Sequence, residues 1–431
     1  MLSLSWSLGW LESVVLFTVA VYALHTWLDV RQRRALHRPA PPPAVAHLYT
    51  PAEFEQKRSY NLAKLQYSMV HNAWDVCFSI ALLLSGYLPA TWRLAGHLLA
   101  RWGWEGGKGE IVQSVVWTLI QAGVSLLLGL PWSAFSTFVL EASHGFNKTS
   151  LRTFTLDLLK SLLLGALLLP PVVAGFTSVL SHSSPYVALY LWAFLLALSL
   201  FALTVYPTLI APLFNTFKPL EQGELREGIE ELAASLAFPL KKLFVIDGST
   251  RSAHSNAYMY GFGANKRIVL YDTLLSQCSQ GEVVAVLAHE LGHWKLGHTI
   301  KLLVASQLVA LAQLLLFTLV NTSPSLFTSF GFLPGERPAL AAFILFQYVI
   351  GPLDEVLGLL SNVVSRAFEF QADAFAVGLG KGTELRGALC ALDKENKGAV
   401  CTDSLYSAYH YSHPPLVERL AAIDAGTKKE S

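Results

Sequence analysis

Charged residues are scarce in this 431-residue sequence: Asp, Glu, Lys and Arg make up only 14% of it, against roughly a quarter in soluble domains. Hydrophobic residues make up 53% and the mean hydropathy is +0.44. This composition argues against two or three soluble domains and indicates a protein that crosses the membrane several times. The net charge is only +1, so no basic field indicates a nucleic-acid partner.

Cysteine is also rare. None of the four cysteines forms a CxxC pair, which argues against both a disulfide framework and a cysteine zinc site. We expect four ordinary buried thiols at Cys77, Cys278, Cys390 and Cys401.

Lys and Arg are missing from residues 1–12, and no small-residue cleavage site follows the first apolar run. The run therefore predicts a retained membrane span and not a signal peptide. Seven runs are long enough to cross about 30 Å of hydrocarbon, at 10–28, 72–92, 111–135, 154–180, 186–211, 299–320 and 338–360. Two runs contain residues that are unusual in lipid: Pro170 and Pro171 in the fourth, and Pro352, Asp354 and Glu355 in the seventh. Such residues either face a bundle interior or a water-filled cavity, or mark a kink or an interfacial end of the helix.

The distribution of Lys and Arg predicts the orientation. The segments after spans one, three, five and seven hold 7, 2, 8 and 8 of them, while the N-terminus and the segments after spans two, four and six hold 0, 3, 0 and 1. By the positive-inside rule the N-terminus faces away from the cytosol and the C-terminus faces it. The two large polar segments then lie on the same, cytosolic side.

We divide the chain into four parts: spans one to five (1–214), a catalytic insertion (215–298), spans six and seven (299–361) and a C-terminal catalytic segment (362–431). Within the insertion, 224–236 predicts an amphipathic helix, and 242–247 and 267–271 predict short β-strands. The fold class is therefore an α-helical membrane protein with a small cytosolic α/β domain.

The insertion contains the sequence HELGH at 289–293, within an apolar helical run. His289 and His293 are one turn apart on the same helix face, where both imidazoles can reach one metal ion. Glu290 between them can act on water without being a ligand. A chance pentapeptide in a buried helix is the alternative, and a third ligand elsewhere would decide between the two.

The C-terminal segment supplies that candidate in SRAFEFQADAFA at 365–376. Glu369 would complete a His₂Glu zinc site with an open fourth position. Asp373, four residues later, would accept a hydrogen bond from a ligand imidazole and fix its tautomer. The alternative is a surface helix with two solvated acids.

The expected chemistry is hydrolysis of a peptide bond. Glu290 would take a proton from the attacking water and return it to the leaving amine. His413 and Arg419 are candidate donors to the developing oxyanion, although they could equally be a turn and a surface arginine. His298, five residues after His293, lies off the ligand face and is interpreted as structural or interfacial.

These motifs, with HPPLVERL at 413–420, resemble the CAAX prenyl protease 1 family of integral-membrane zinc metalloendopeptidases. The resemblance extends over nearly the whole chain in FEQKRSYNLAK (54–64), FVLEASHGFNK (138–148), IAPLFNTFKPL (210–220) and RSAHSNAYMYGFGANKRIVLYDTLL (251–275). Glu141-Ala142 departs from the family's usual pair of acidic residues and affects no proposed ligand.

The resemblance implies seven helices around a large water-filled chamber, closed on the cytosolic side by the catalytic domain. It implies one Zn²⁺ held by His289, His293 and Glu369, with Glu290 as general base and with His413 and Arg419 lining the site. Asn256 would help to position the substrate backbone. The implied substrate is a farnesylated Cys-a-a-X protein, which loses its -aaX tripeptide and in some cases is cut again upstream.

The C-terminal Lys428 and Lys429 resemble a dilysine signal for retrieval to the endoplasmic reticulum, with a frayed basic tail as the alternative. Three other functions stay open as weaker hypotheses. They are a membrane quality-control metalloprotease, a site-2-type intramembrane protease and a non-catalytic channel, transporter or scaffold. Quality-control metalloproteases have fewer membrane spans. A site-2-type protease would need an Asp ligand and an HExxH motif inside a span. A channel, transporter or scaffold would not need Glu290.

Overall fold

The computed structural model describes residues 8–430 except 102, 104–108, 183, 262 and 264, and it does not describe the side chains of 429 and 430. Part of the predicted dilysine signal, Lys429, therefore lies outside the described side chains. The first half of the chain is helical, with α1 (Trp10–Leu36), α2 (Pro51–Leu84), α3 (Tyr87–Ala100), α4 (Gly109–Phe135), α5 (Leu151–Leu180), α6 (Val187–Val205) and α7 (Ala211–Phe214). Two π-helical turns, Ser136–Glu141 and Tyr206–Ile210, follow α4 and α6.

The second half combines a small sheet with further helices. Its elements are β1 (Phe217–Pro219), α8 (Glu224–Ser235), β2 (Leu240–Ile246), β3 (Ala257–Tyr260), β4 (Lys266–Tyr271), α9 (Asp272–Gln277), α10 (Gln280–Lys295), α11 (His298–Val320), α12 (Pro324–Ser329), α13 (Ala339–Gly378), α14 (Gly382–Glu395), α15 (Ser404–His410) and α16 (Leu416–Glu430).

Among the described residues, six continuous helical segments are long and apolar enough to cross a membrane. They contain α1, α4, α5, α6, α11 and α13. Large leucines on three of these helices are exposed, with Leu127, Leu163 and Leu319 each more than 70% exposed. Lipid can cover such side chains, whereas their exposure to water would be energetically unfavourable. The helical membrane architecture predicted from the sequence is confirmed.

Helices α2 and α3 form a seventh span only as a bent pair, with 64° between them. The predicted span 72–92 crosses this bend, so its boundaries are wrong. The reason is Gly86, whose φ of +69° places it in the left-handed region and ends α2. Glycine adopts that conformation without the steric cost of a Cβ.

Helix α13 contains 40 residues and continues well beyond the predicted span 338–360. The predicted third and fourth parts of the chain meet between residues 361 and 362, which α13 crosses without a break. The four-part division of the chain stays a prediction. Asp354 and Glu355 line a cavity of about 500 Å³ between α1, α2 and α13. Gln313 donates a hydrogen bond to Asp354, and the His25 ring lies 2.9 Å from Glu355. These intramembrane acids therefore face a cavity, which was one of the two predicted settings.

The four strands form one sheet in the order β1-β2-β4-β3. The central pair β2–β4 is parallel, while β1 and β3 pair antiparallel at the two edges. The predicted strands 242–247 and 267–271 correspond to β2 and β4, and the predicted helix 224–236 corresponds to α8. The short strands β1 and β3 are not predicted by the sequence. Fully buried Ile229, Leu270 and Leu287 join the sheet to α8 and α10 in one core.

The sheet region is fixed to the membrane helices by polar contacts. Arg251 donates two hydrogen bonds to Asp157 on α5, and Asn147 forms a β-bridge with Ser252. The motifs at 138–148 and 251–275 are thus in contact at the boundary between the two regions.

The cysteine prediction is only partly right. All four cysteines are free, but Cys401 is the one that is buried, and Cys77 is exposed. Cys77 lies on α2, a membrane helix with many exposed side chains. An apolar composition therefore does not imply burial within the protein here.

Candidate metal centre

The HELGH segment lies in α10, which starts with a complete capping box. Ser279 Oγ accepts from the backbone N–H of Glu282, and Glu282 in turn accepts from the backbone N–H of Ser279. These bonds satisfy donors that the first helical turn would otherwise leave open. One turn apart on the resulting helix, His289 and His293 have Nε2 atoms 3.2 Å from each other.

Glu369 reaches the same point from α13. Its Oε2 lies 3.6 Å from His289 Nε2, and its Oε1 lies 3.3 Å from His293 Nε2. The three candidate ligand atoms all lie within 4.8 Å of one another. Glu369 is 6% exposed, and its Oε2 has no hydrogen-bond partner among the described residues. A buried carboxylate that faces two imidazole nitrogens, and has one oxygen without a hydrogen-bond partner, fits a divalent cation of the zinc type.

Asp373 supports His289 from behind. Its Oδ1 lies 2.9 Å from His289 Nδ1, and the side chain is 1% exposed. A carboxylate accepts hydrogen bonds, so His289 carries its proton on Nδ1 and presents a lone pair at Nε2. Arg419 binds the same carboxylate through Nε and Nη2, at 2.8 and 2.6 Å. Both carboxylate oxygens of Asp373 therefore have hydrogen-bond partners, His289 and Arg419 at Oδ1 and Arg419 at Oδ2.

His293 has a different support. Its Nδ1 lies 3.0 Å from Nδ1 of His298, a residue that is only 1% exposed. The five-residue spacing from His293 predicts that His298 lies away from the ligand face, yet the ring packs directly behind a ligand imidazole. Helix geometry could not show this, because His298 belongs to the next helix, α11, after a turn at Gly297.

Gly292 allows α10 and α13 to approach closely. A Cβ at this position would meet Phe375 side-chain atoms at 3.0 to 3.3 Å. Such distances are too short for ordinary carbon contacts. The glycine between the two histidines therefore brings the two ligand-bearing helices together.

Glu290 lines a cavity of about 150 Å³ together with two of the candidate ligands, His289 and Glu369. Burial raises the pKa of Glu290, while the nearby His289 and His293 oppose that shift. A carboxyl group with a raised pKa in a partly closed pocket is typical of residues that exchange protons.

The other predicted site residues line the same cavity. His413 is 69% exposed, with Nε2 3.4 Å from Glu369 Oε1. Arg419 Nη1 lies 3.5 Å from Glu369 Oε2, although the shorter bonds of this guanidinium go to Asp373. Asn256 directly precedes the edge strand β3, and its Oδ1 accepts from the N–H of Ala257.

The apolar wall of this cavity is not predicted by the sequence. Its side chains come from α9, α10 and α14, and they are Leu274, Val286, Leu385, Leu389 and Leu392. They carry no chemical motif, so only the tertiary structure assembles them. A partly apolar wall next to the polar cluster is typical of a binding pocket.

Known proteins resemble this chain throughout its length. The family description "CAAX prenyl protease N-terminal, five membrane helices" matches residues 32–216, and "Peptidase family M48" matches residues 219–427. A CAAX prenyl protease 1 homolog of Oryza sativa subsp. japonica is 50% identical, over 99% of this chain and 100% of the relative. The chain belongs to the CAAX prenyl protease 1 family.

More distant members and a solved structure agree. The Homo sapiens homolog is 40% identical over 95% of this chain and 94% of the relative. The crystal structure of S. mikatae Ste24p superposes with a TM-score of 0.92 at 35% identity, over 97% of this chain and 100% of that one. The resemblance seen in the sequence is confirmed. The protein is a multi-pass membrane metallopeptidase whose family implies a metal, which the convergence of His289, His293 and Glu369 fits.

Proposed function

We propose that this metallopeptidase removes the C-terminal -aaX tripeptide from prenylated Cys-a-a-X proteins, using one zinc ion held by His289, His293 and Glu369. One observation carries the proposal: these three side chains converge, and two of them, His289 and Glu369, line a cavity with an apolar wall together with Glu290. The curated names of full-length relatives, CAAX prenyl protease 1, support the substrate class. A second cut upstream in the prenylated chain is compatible with the same site.

Each side chain has a role that follows from its position. Zinc, when bound, would polarise the scissile carbonyl and make the attacking water more acidic. Glu290 takes a proton from that water and delivers it to the leaving amine. His413 is exposed and close to Glu369, so it is free to donate a hydrogen bond to the oxygen of the reacting carbonyl. Arg419 holds Asp373, and its positive charge lies on the same side of the cavity.

The substrate backbone is expected to pair with the edge strand β3. Among the described residues this strand pairs with β4 alone, so its other edge has no strand partner there and could take an added strand. Asn256 lies at the start of β3 on the cavity wall. An extended peptide paired there would lead its scissile bond past Glu290.

We also propose that the protein resides in the endoplasmic reticulum membrane, with its N-terminus in the lumen and its catalytic domain and C-terminus in the cytosol. The excess of Lys and Arg after spans one, five and seven supports this orientation. A protease-accessible tag after Ser431 should be cleaved from the cytosolic side of sealed microsomes. Cleavage only after the vesicles are opened would contradict the orientation.

A coupled peptide assay tests the activity. The purified full chain should release the tripeptide from a farnesylated Cys-a-a-X peptide and should stop when a chelator is added. Glu290→Ala should keep its zinc but lose turnover by about 10²- to 10⁴-fold, because the proton carrier is missing. Equal cleavage of the same peptide without its farnesyl group, or full activity of Glu290→Ala, would refute the proposed function.

A further inference from the structure

A chain of three polar side chains ends at the second candidate ligand. Gln371 Oε1 on α13 lies 3.1 Å from His298 Nε2. His298 Nδ1 lies 3.0 Å from His293 Nδ1. His293 Nε2 in turn faces Glu369 Oε1 at 3.3 Å. The metal centre described above includes neither Gln371 nor its contact with His298.

Each neutral imidazole has one N–H donor and one acceptor nitrogen, so the chain can run in only two directions. If Gln371 accepts through Oε1, His298 carries its proton on Nε2 and accepts at Nδ1. His293 must then donate from Nδ1, and its Nε2 presents a lone pair. In the opposite direction His293 would carry its proton on Nε2, where it could not bind a metal.

We propose that His298 and Gln371 are positioning residues that hold His293 in the tautomer whose Nε2 lone pair faces the metal. The inference rests on the proposed zinc site. The amide oxygen of Gln371 sets the direction, and His298 transmits it. Partners of this kind behind a ligand histidine are as much a part of a metal site as the ligands themselves.

The surroundings of His298 hold its ring in this orientation. The ring stacks on Phe368, with centroids 4.0 Å apart and planes 3° from parallel. The side chain is 1% exposed, so little water can reach its nitrogens. A buried ring held by a neighbouring aromatic cannot turn to exchange its donor and acceptor without disturbing the packing.

The two ligand histidines are therefore fixed by different means. A carboxylate, Asp373, accepts from His289 and can accept only. A neutral amide, Gln371, acts on His293 through one intervening ring and could in principle donate instead of accept. The His293 side is the one that a single substitution can loosen without leaving a charge unpaired.

Zinc affinity, measured by chelator competition on the purified full chain, tests the inference independently of turnover. His298→Phe retains a ring against Phe368 but removes both nitrogens, and we expect zinc affinity to fall about 10- to 100-fold. Gln371→Met should lower it about 10-fold, whereas Gln371→Glu, which can still accept, should stay within about threefold of the wild type. Phe368→Leu loses the stacking but keeps an apolar side chain against the ring and leaves the polar chain intact, so its loss of zinc affinity should be smaller than that of His298→Phe.

The outcomes separate this inference from the proposed function. Wild-type protein without zinc would overturn the zinc site itself. Wild-type affinity in both His298→Phe and Gln371→Met would overturn the positioning role alone. If Phe368→Leu and His298→Phe lose zinc affinity equally, His298 acts only through packing. If Gln371→Met and Gln371→Glu lose it equally, a hydrogen-bond acceptor at residue 371 does not matter. Thermal unfolding of each variant without metal confirms that the fold is retained.

Discussion

Helices α10 and α13 both supply ligands to the candidate metal centre, but they are held in place differently. Helix α10 has 16 residues, begins with its own capping box and is packed within the core of the catalytic domain. Helix α13 has 40 residues, and its N-cap residue Pro338 forms no capping hydrogen bond. The carboxylate of Glu110 on α4 accepts from the backbone N–H of Ala339 instead. Helix α10 is positioned by the catalytic domain, whereas α13 begins in the core of the membrane helices and contributes buried residues to the catalytic core only with Ala376 and Val377. The site therefore depends on the contact between the two regions.

The largest expected effect comes from the ligand on α13. Glu369→Ala should abolish both zinc binding and tripeptide release, because two histidines on α10 alone leave the ion without its third protein ligand. Zinc content measured by atomic absorption, together with the farnesyl-peptide assay, checks this. Glu395→Ala, an exposed acid at the end of α14, is the matched control and should behave like the wild type. Retained zinc in Glu369→Ala would show that α10 holds the metal without α13.

A smaller effect is expected one turn further along α13. Asp373→Asn should lower zinc affinity about 10- to 100-fold, because the amide accepts less strongly from His289 and presents a donor towards Arg419. Chelator competition measures the change. Asp424→Asn breaks another Asp–Arg pair, the half-exposed contact with Arg386 between α14 and α16, and should leave zinc affinity unchanged. Equal effects in the two variants would contradict the role of Asp373.

The contact between the helices is tested at Gly292. Gly292→Ala should destabilise the protein by about 1–3 kcal/mol, because the added methyl group overpacks the contact with Phe375. Denaturant unfolding in detergent measures the loss, and zinc affinity should fall with it. Gly281→Ala, on the same helix, meets only Glu384 Cγ at 3.7 Å. It should leave stability unchanged or raise it slightly, since alanine favours helix, and a loss like that of Gly292→Ala would argue against a specific close approach.

The smallest effect concerns the local support of α10. Ser279→Ala removes the capping hydroxyl and should cost about 1 kcal/mol of stability. The same unfolding experiment measures this loss, and zinc affinity should change little, because the ligands lie three turns away. Ser235→Ala at the end of α8 removes a hydroxyl that does not cap a helix start and should stay within about 0.5 kcal/mol. No difference between the two variants would mean that the core alone holds α10.

The sequence predicted the helical membrane fold, because apolar runs of fixed length are a direct requirement of the bilayer. It did not predict the bend at Gly86, which depends on one backbone conformation inside an apolar region. It predicted β2 and β4 closely, because both are short runs that end in apolar and β-branched residues, but not the edge strands β1 and β3. Those strands contain few residues and form only against partners already in place.

The sequence likewise predicted only part of the candidate site. Spacing within one helix was enough to pair His289 with His293 and Glu369 with Asp373. Whether the two pairs meet could not be read from spacing, since α11, α12 and much of α13 separate them in the chain. The contacts of Asp373 with Arg419 and of His293 with His298 join different helices, and no local pattern indicates them.

By itself, then, the sequence determined which residues can bind a metal and which segments can enter a membrane, because both properties belong to short stretches of chain. The tertiary structure decided where the two helices cross, how Gly292 admits Phe375 and which partner stands behind each ligand imidazole. These features depend on packing between elements distant in the chain, where a few tenths of an ångström decide whether the ligand atoms converge.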